Sequence, residues 1–123
     1  MTSGSAESII SPHIGPTGFY LPKGDDCILL VHGLTGTPAE MRSVGKRLVR
    51  QGFSVVCPQL AGHCAEVGDL KRSTWRDWYR SIEQTFEAAK QTHRRVYVAG
   101  LSVGALLAIK LAEQKGSRVD GLG

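Results

Sequence analysis

Apolar residues fall along this chain in two kinds of run. The short ones are Phe53-Ser54-Val55-Val56-Cys57, Val96-Tyr97-Val98-Ala99 following Arg95, and Cys27-Ile28-Leu29-Leu30-Val31, the last continuously apolar and β-branched in part. That is the pattern of strands buried on both faces of a parallel sheet. Between them the period lengthens to that of a helix. Thr37-Pro38-Ala39-Glu40 carries an N-cap, a first-position proline and a glutamate placed to complete a capping box, followed by the stripe Met41, Val44 and Leu48 and closed by Gly52. From Thr74, with Asp77 three residues on, Trp75, Trp78, Tyr79, Ile82 and Phe86 mark one face of a second helix ending near Lys90. A third runs from Ala105 to Glu113 and is apolar almost all round, so it must be covered on most sides.

Strand and helix alternating at this spacing predict an α/β domain with a parallel sheet and right-handed crossovers. Residues 1–18 are polar and punctuated by Gly4, Pro12, Gly15, Pro16 and Gly18, and read as an irregular lead-in to a domain spanning residues 19–123. Phe19-Tyr20-Leu21 reads as a short strand, and Val119 to Gly123 as the beginning of a fourth buried one. Ending there would uncover apolar surface on the third helix and leave an unpaired sheet edge.

Composition narrows the class without naming it. The 123 residues are 41% hydrophobic with a net charge of +4, an ordinary globular balance. The densest basic group is Lys71, Arg72, Arg76, Arg80, Arg94 and Arg95, but acids interrupt it and no nucleic-acid motif frames it, so it reads as a solvated face. No basic-then-apolar leader opens the chain and no stretch reaches the ~18 apolar residues of a membrane span, which predicts a cytoplasmic protein. Cys27, Cys57 and Cys64 form neither C-x-x-C nor a metal-ligand spacing, and are expected to be reduced thiols.

The candidate chemistry lies at Gly100-Leu101-Ser102-Val103-Gly104, where the third strand ends and the third helix begins. A G-x-S-x-G at a strand-to-helix junction forces its serine into a strained turn that exposes the hydroxyl as a nucleophile. A side chain at position 100 or 104 would collide with the neighbouring elements. The pentapeptide alone is weak in a chain with 15 glycines; its context carries the reading. Neither G-x-G-x-x-G nor a Walker-type lysine motif is present, and no cofactor is expected.

Three stretches together resemble the α/β-hydrolase family, in its carboxylesterase and monoacylglycerol-lipase-like branch: His32-Gly33-Leu34-Thr35-Gly36-Thr37-Pro38, Pro58-Gln59-Leu60-Ala61-Gly62-His63, and Gly100 to Gly104. The resemblance covers about residues 19–123, the N-terminal, nucleophile-bearing half of that family's domain. It implies a three-layer parallel-sheet fold, truncated after the nucleophile helix. It also implies that Ser102 attacks an acyl carbonyl and that the N–H groups of Leu34 and Val103 form the oxyanion hole, with His32, Gly33, Gly100 and Gly104 supporting the motif. Family order places serine before acid before histidine, so His32 is expected to be structural, as is His63 in the family's G-H-G loop. Here Cys64 stands in place of the last glycine of that loop, which at positive φ would cost about 1 kcal/mol or more. A Cys64–His63 nucleophile pair is disfavoured because sequence neighbours seldom orient correctly. His13 and His93 fall outside every motif and are expected at the surface.

After Ser102 come only Glu113 and Asp120 as acids and no histidine. The resemblance therefore implies a serine hydrolase of carboxylic esters, working through an acyl-enzyme on a small acyl ester substrate, represented by an incomplete and inactive fragment that lacks the Asp and His of the triad. Thioesterase, peptidase and acyltransfer chemistry would use the same residues, and a degenerate, non-catalytic domain would share the fold.

Overall fold

The computed structural model describes residues 3–33, 37–61 and 74–123. In chain order the main elements are helix α1 (Ser3–Ile10), strands β1 (Phe19–Leu21) and β2 (Asp26–Val31), helix α2 (Arg42–Arg50), strand β3 (Ser54–Cys57), helix α3 (Trp75–Thr92), strand β4 (Arg95–Gly100), helix α4 (Val103–Lys115) and strand β5 (Gly121–Leu122). The strands make one sheet in the order β1-β3-β2-β4-β5. β2, β3, β4 and β5 are parallel neighbours, as the continuous apolar runs predict, while β1 closes the edge antiparallel to β3.

Alternation along β2 divides the core. Cys27, Leu29 and Val31 face α3 and α4 with Phe86, Ile82 and Leu111, whereas Ile28 and Leu30 face the side of α2 with Phe19, Met41 and Val55. The helix of aromatic residues enters this core progressively: Trp75 is exposed, Ile82 and Phe86 are fully buried. Its start is the predicted one, with Thr74 Oγ1 accepting from the Asp77 N–H and Asp77 reaching back to the Thr74 N–H at 2.9 Å. At the other end, Arg118 forms two hydrogen bonds with Glu87, which also pairs with Lys115 at 3.0 Å, so the exit of α4 is tied to α3.

Two sequence expectations need correction. The lead-in is not irregular: residues 3–10 form α1, which lies against α3 because Ala6 and Ile10 share a helical face and are buried there, with Ile14 following. Gly15 and Pro16 act only after that helix has ended. The predicted capping box at Thr37 does not form either. Pro38–Met41 is a 3₁₀ turn with no side-chain cap at Thr37, and the α-helix begins only at Arg42.

The expectation for α4 holds on one side only. Leu107, Ala108 and Leu111 are buried, but Leu106 is 65% and Ile109 51% exposed. On the opposite face of the sheet, beside α2, a groove of about 470 Å³ runs over β4 and β5 between Phe53, Tyr97 and Leu122. Among the described residues these faces of the β4–β5 edge are uncovered, an unusual state for parallel strands.

Candidate active site

The site is built where β2 and β4 end side by side. Val31 pairs with Gly100, and the Leu101 N–H donates to the Val31 carbonyl at 3.1 Å, so the chain leaving β4 is held against the chain leaving β2. Two residues later it is helical. The reversal is made at Ser102, with φ 59° and ψ −124°, the one non-glycine residue at positive φ among the described residues. This backbone conformation belongs to glycine-dominated turn positions, and holding a Cβ there costs of order 1–3 kcal/mol. The Ser102 carbonyl already accepts from the Ala105 N–H at 2.9 Å, while its side chain caps nothing and is exposed.

The flanking glycines permit the crossing. A Cβ on Gly100 would strike the Gly104 carbonyl and lie 2.7 Å from the Ala105 nitrogen; one on Gly104 would strike the Val31 carbonyl and lie 2.6 Å from that of His32. These are backbone atoms and cannot swing aside. The first turn of α4 therefore sits directly over the end of β2, and Val103, as its first residue, carries an amide that the helix cannot satisfy. Such amides at a helix N-terminus favour negative charge.

His32 follows β2 and is fully buried. Its Nε2 accepts from the Leu60 N–H at 3.0 Å, so the proton must be on Nδ1, which donates to the Gly33 carbonyl at 2.9 Å. Both ring nitrogens are thus engaged: Nε2 ties the end of β2 to the segment that follows β3, and Nδ1 holds the carbonyl of the next residue in its own segment. Gly33 lies next to Ser102: a Cβ built on it would be 3.6 Å from Ser102 Cβ and 3.5 Å from the Leu101 carbonyl oxygen. Leu34, His63 and Cys64 lie outside the described residues.

The remaining polar groups are engaged elsewhere. Glu113 pairs with Lys110 within α4. Asp120 accepts from the Val96 N–H at 2.8 Å, at the opposite end of β4 from Ser102, and that bond holds its carboxyl below the usual range. No hydrogen bond to Ser102 Oγ is formed among the described residues. His93, expected at the surface, is half-buried: Tyr20 Oη lies 3.0 Å from its Nε2, and desolvation lowers its pKa below the ordinary value. Sequence reading missed Glu40, whose Oε1 accepts from the Gly33 N–H at 3.1 Å. A glutamate three residues after a threonine reads as a cap whichever way its carboxylate turns, so no local signal distinguishes the two.

A family model described as serine aminopeptidase, S33, matches residues 22–122. The chain belongs to this α/β-hydrolase family. It is 39% identical over 99 residues to the thermostable monoacylglycerol lipase of Bacillus sp. (strain H-257), and 30% identical over 99 residues to a carboxylesterase of Bacillus subtilis (strain 168). Both alignments cover 80% of this chain and 40% of the relative, so the chain spans less than half the length of these curated relatives. Among solved structures it is similar to that described as "LipS and LipT, two metagenome-derived lipolytic enzymes", with a TM-score of 0.81 at 28% identity over 89% of this chain and 45% of the other. Est1E from Butyrivibrio proteoclasticus, with ferulic acid bound, matches with a TM-score of 0.76 at 21% identity over 85% of this chain and 46% of that one, a likeness of fold alone.

Proposed function

We propose that Ser102 is the nucleophile of a carboxylic ester hydrolase. The observation that carries this is the serine at φ 59° on the turn between β4 and α4, exposed and beside Gly33. Strain of this kind persists where surrounding structure enforces it, and the backbone contacts of Gly100 and Gly104 do so here. Attack of Ser102 Oγ on an acyl carbonyl would form a tetrahedral oxyanion, then an acyl-enzyme as the alkoxide leaves, and water would release the acid. The Val103 N–H, together with that of Leu34 by resemblance, would stabilise the oxyanion; losing one such donor costs roughly 3 kcal/mol, or about a hundredfold in rate. The relatives' names, a monoacylglycerol lipase and a carboxylesterase, support an ester as the substrate.

On this reading the base and acid that activate Ser102 are not among the described residues, and the 123-residue chain by itself turns over no ester. The family's description as an aminopeptidase favours one second reading, amide hydrolysis at the same serine. A cytoplasmic location belongs to the proposal.

The test joins this chain to the part of the Bacillus monoacylglycerol lipase beyond their alignment. The fusion is expected to hydrolyse p-nitrophenyl butyrate faster than an aminoacyl p-nitroanilide, and Ser102→Ala to abolish both turnover and labelling by a fluorophosphonate. Turnover that survives Ser102→Ala would overturn the nucleophile; Ser102-dependent turnover by the 123-residue chain would overturn the missing base.

A further inference from the structure

We infer that Glu40 is a positioning residue that holds Gly33 beside Ser102; this rests on the nucleophile reading above. Gly33 stands between the two groups: a Cβ built on it would be 3.6 Å from Ser102 Cβ and 3.8 Å from Glu40 Oε1. Those are ordinary contact distances, so packing alone does not restrict a residue whose backbone is the freest of all. Two hydrogen bonds restrict it instead. The Gly33 N–H donates to Glu40 Oε1 at 3.1 Å, and the Gly33 carbonyl accepts from His32 Nδ1 at 2.9 Å.

These bonds act on the two sides of one Cα. The first fixes the peptide that enters Gly33 and hence its φ; the second fixes the peptide that leaves it and hence its ψ. The pair together therefore fixes the backbone of Gly33 where it lies against Ser102. Each anchor is held in turn. His32 is fully buried and bonded to Leu60, and Glu40 sits in a 3₁₀ turn whose Pro38 and Met41 are buried. The side chain that reads in sequence as a helix cap is thus a tether on Gly33.

Removing only the Glu40 anchor leaves His32 and the core intact, and Glu40 is exposed, so the variant folds. In the 123-residue chain, Glu40→Ala is expected to speed hydrogen exchange of the Gly33 amide about tenfold while the Leu60 amide is unchanged, and Glu40→Gln, whose amide oxygen still accepts, is expected to restore protection. In the fusion, Glu40→Ala is expected to lower kcat for p-nitrophenyl butyrate about tenfold with KM unchanged, and Glu40→Gln to recover most of it. Equal Gly33 exchange in all three proteins overturns the tether. Faster exchange with an unchanged kcat overturns its role in positioning. If Ser102→Ala leaves turnover intact, the nucleophile reading has failed, and the exchange comparison still decides whether Glu40 holds Gly33.

Discussion

Ser102 and Gly116 bracket α4 and share one backbone conformation: φ 59°, ψ −124° at the first and φ 57°, ψ −131° at the second. At position 116 the chain uses glycine, for which this region is free of steric cost; at 102 it keeps a serine. The difference can be measured by comparing Ser102→Gly with Ser102→Ala. Both remove an exposed hydroxyl that caps nothing, so the lost hydrogen bonding is the same in the two variants. Only the glycine variant also removes the Cβ from positive φ. Relief of about 1–3 kcal/mol of strain, less about 0.5–1 kcal/mol for the greater freedom of glycine in the unfolded chain, leaves Ser102→Gly more stable by about 1 kcal/mol. In urea unfolding followed by circular dichroism, an m-value of about 2 kcal/mol/M places its midpoint roughly 0.5 M above that of Ser102→Ala. A midpoint equal to or below that of the alanine variant would show that the turn stores no strain at this residue and would remove the backbone geometry as a ground for the nucleophile.

Other perturbations probe the framework. Gly104→Ala drives a Cβ into the carbonyls of Val31 and His32; overpacking of up to about 3 kcal/mol, less about 1 kcal/mol gained in helix propensity, predicts a loss of about 2 kcal/mol by the same urea assay, and a variant as stable as wild type would refute the close crossing. His93 is kept neutral by desolvation, against the opposing charges of Asp25 and Asp26, so the unfolded state binds more protons as pH falls below the ordinary value of 6.5. Its contribution to stability is complete above that value and is lost as pH falls toward its lowered folded pKa. The urea midpoint should therefore drop as pH falls below about 6.5, and His93→Gln should flatten that slope; an unchanged slope would refute it.

What the sequence alone determined is what short-range periodicity and turn chemistry encode. The three buried strands, the helix opened by Thr74 and Asp77, and the small residues flanking Ser102 are legible because each depends on neighbours within a few positions. The serine's own geometry follows from them, since a strand that becomes a helix within two residues leaves few other paths for the chain. Tertiary structure decided which polar groups meet across the fold. His32 finds the Leu60 amide 28 residues on, and Tyr20 finds His93 across 73. Glu40 turns to Gly33 rather than to its own helix start, and Ala6 and Ile10 become a buried helical face only because α3 is there to receive them. A hydrogen-bonding group takes whichever partner the packed elements bring within about 3 Å, and that choice is written in the arrangement of the sheet and its helices, not in the spacing of residues along the chain.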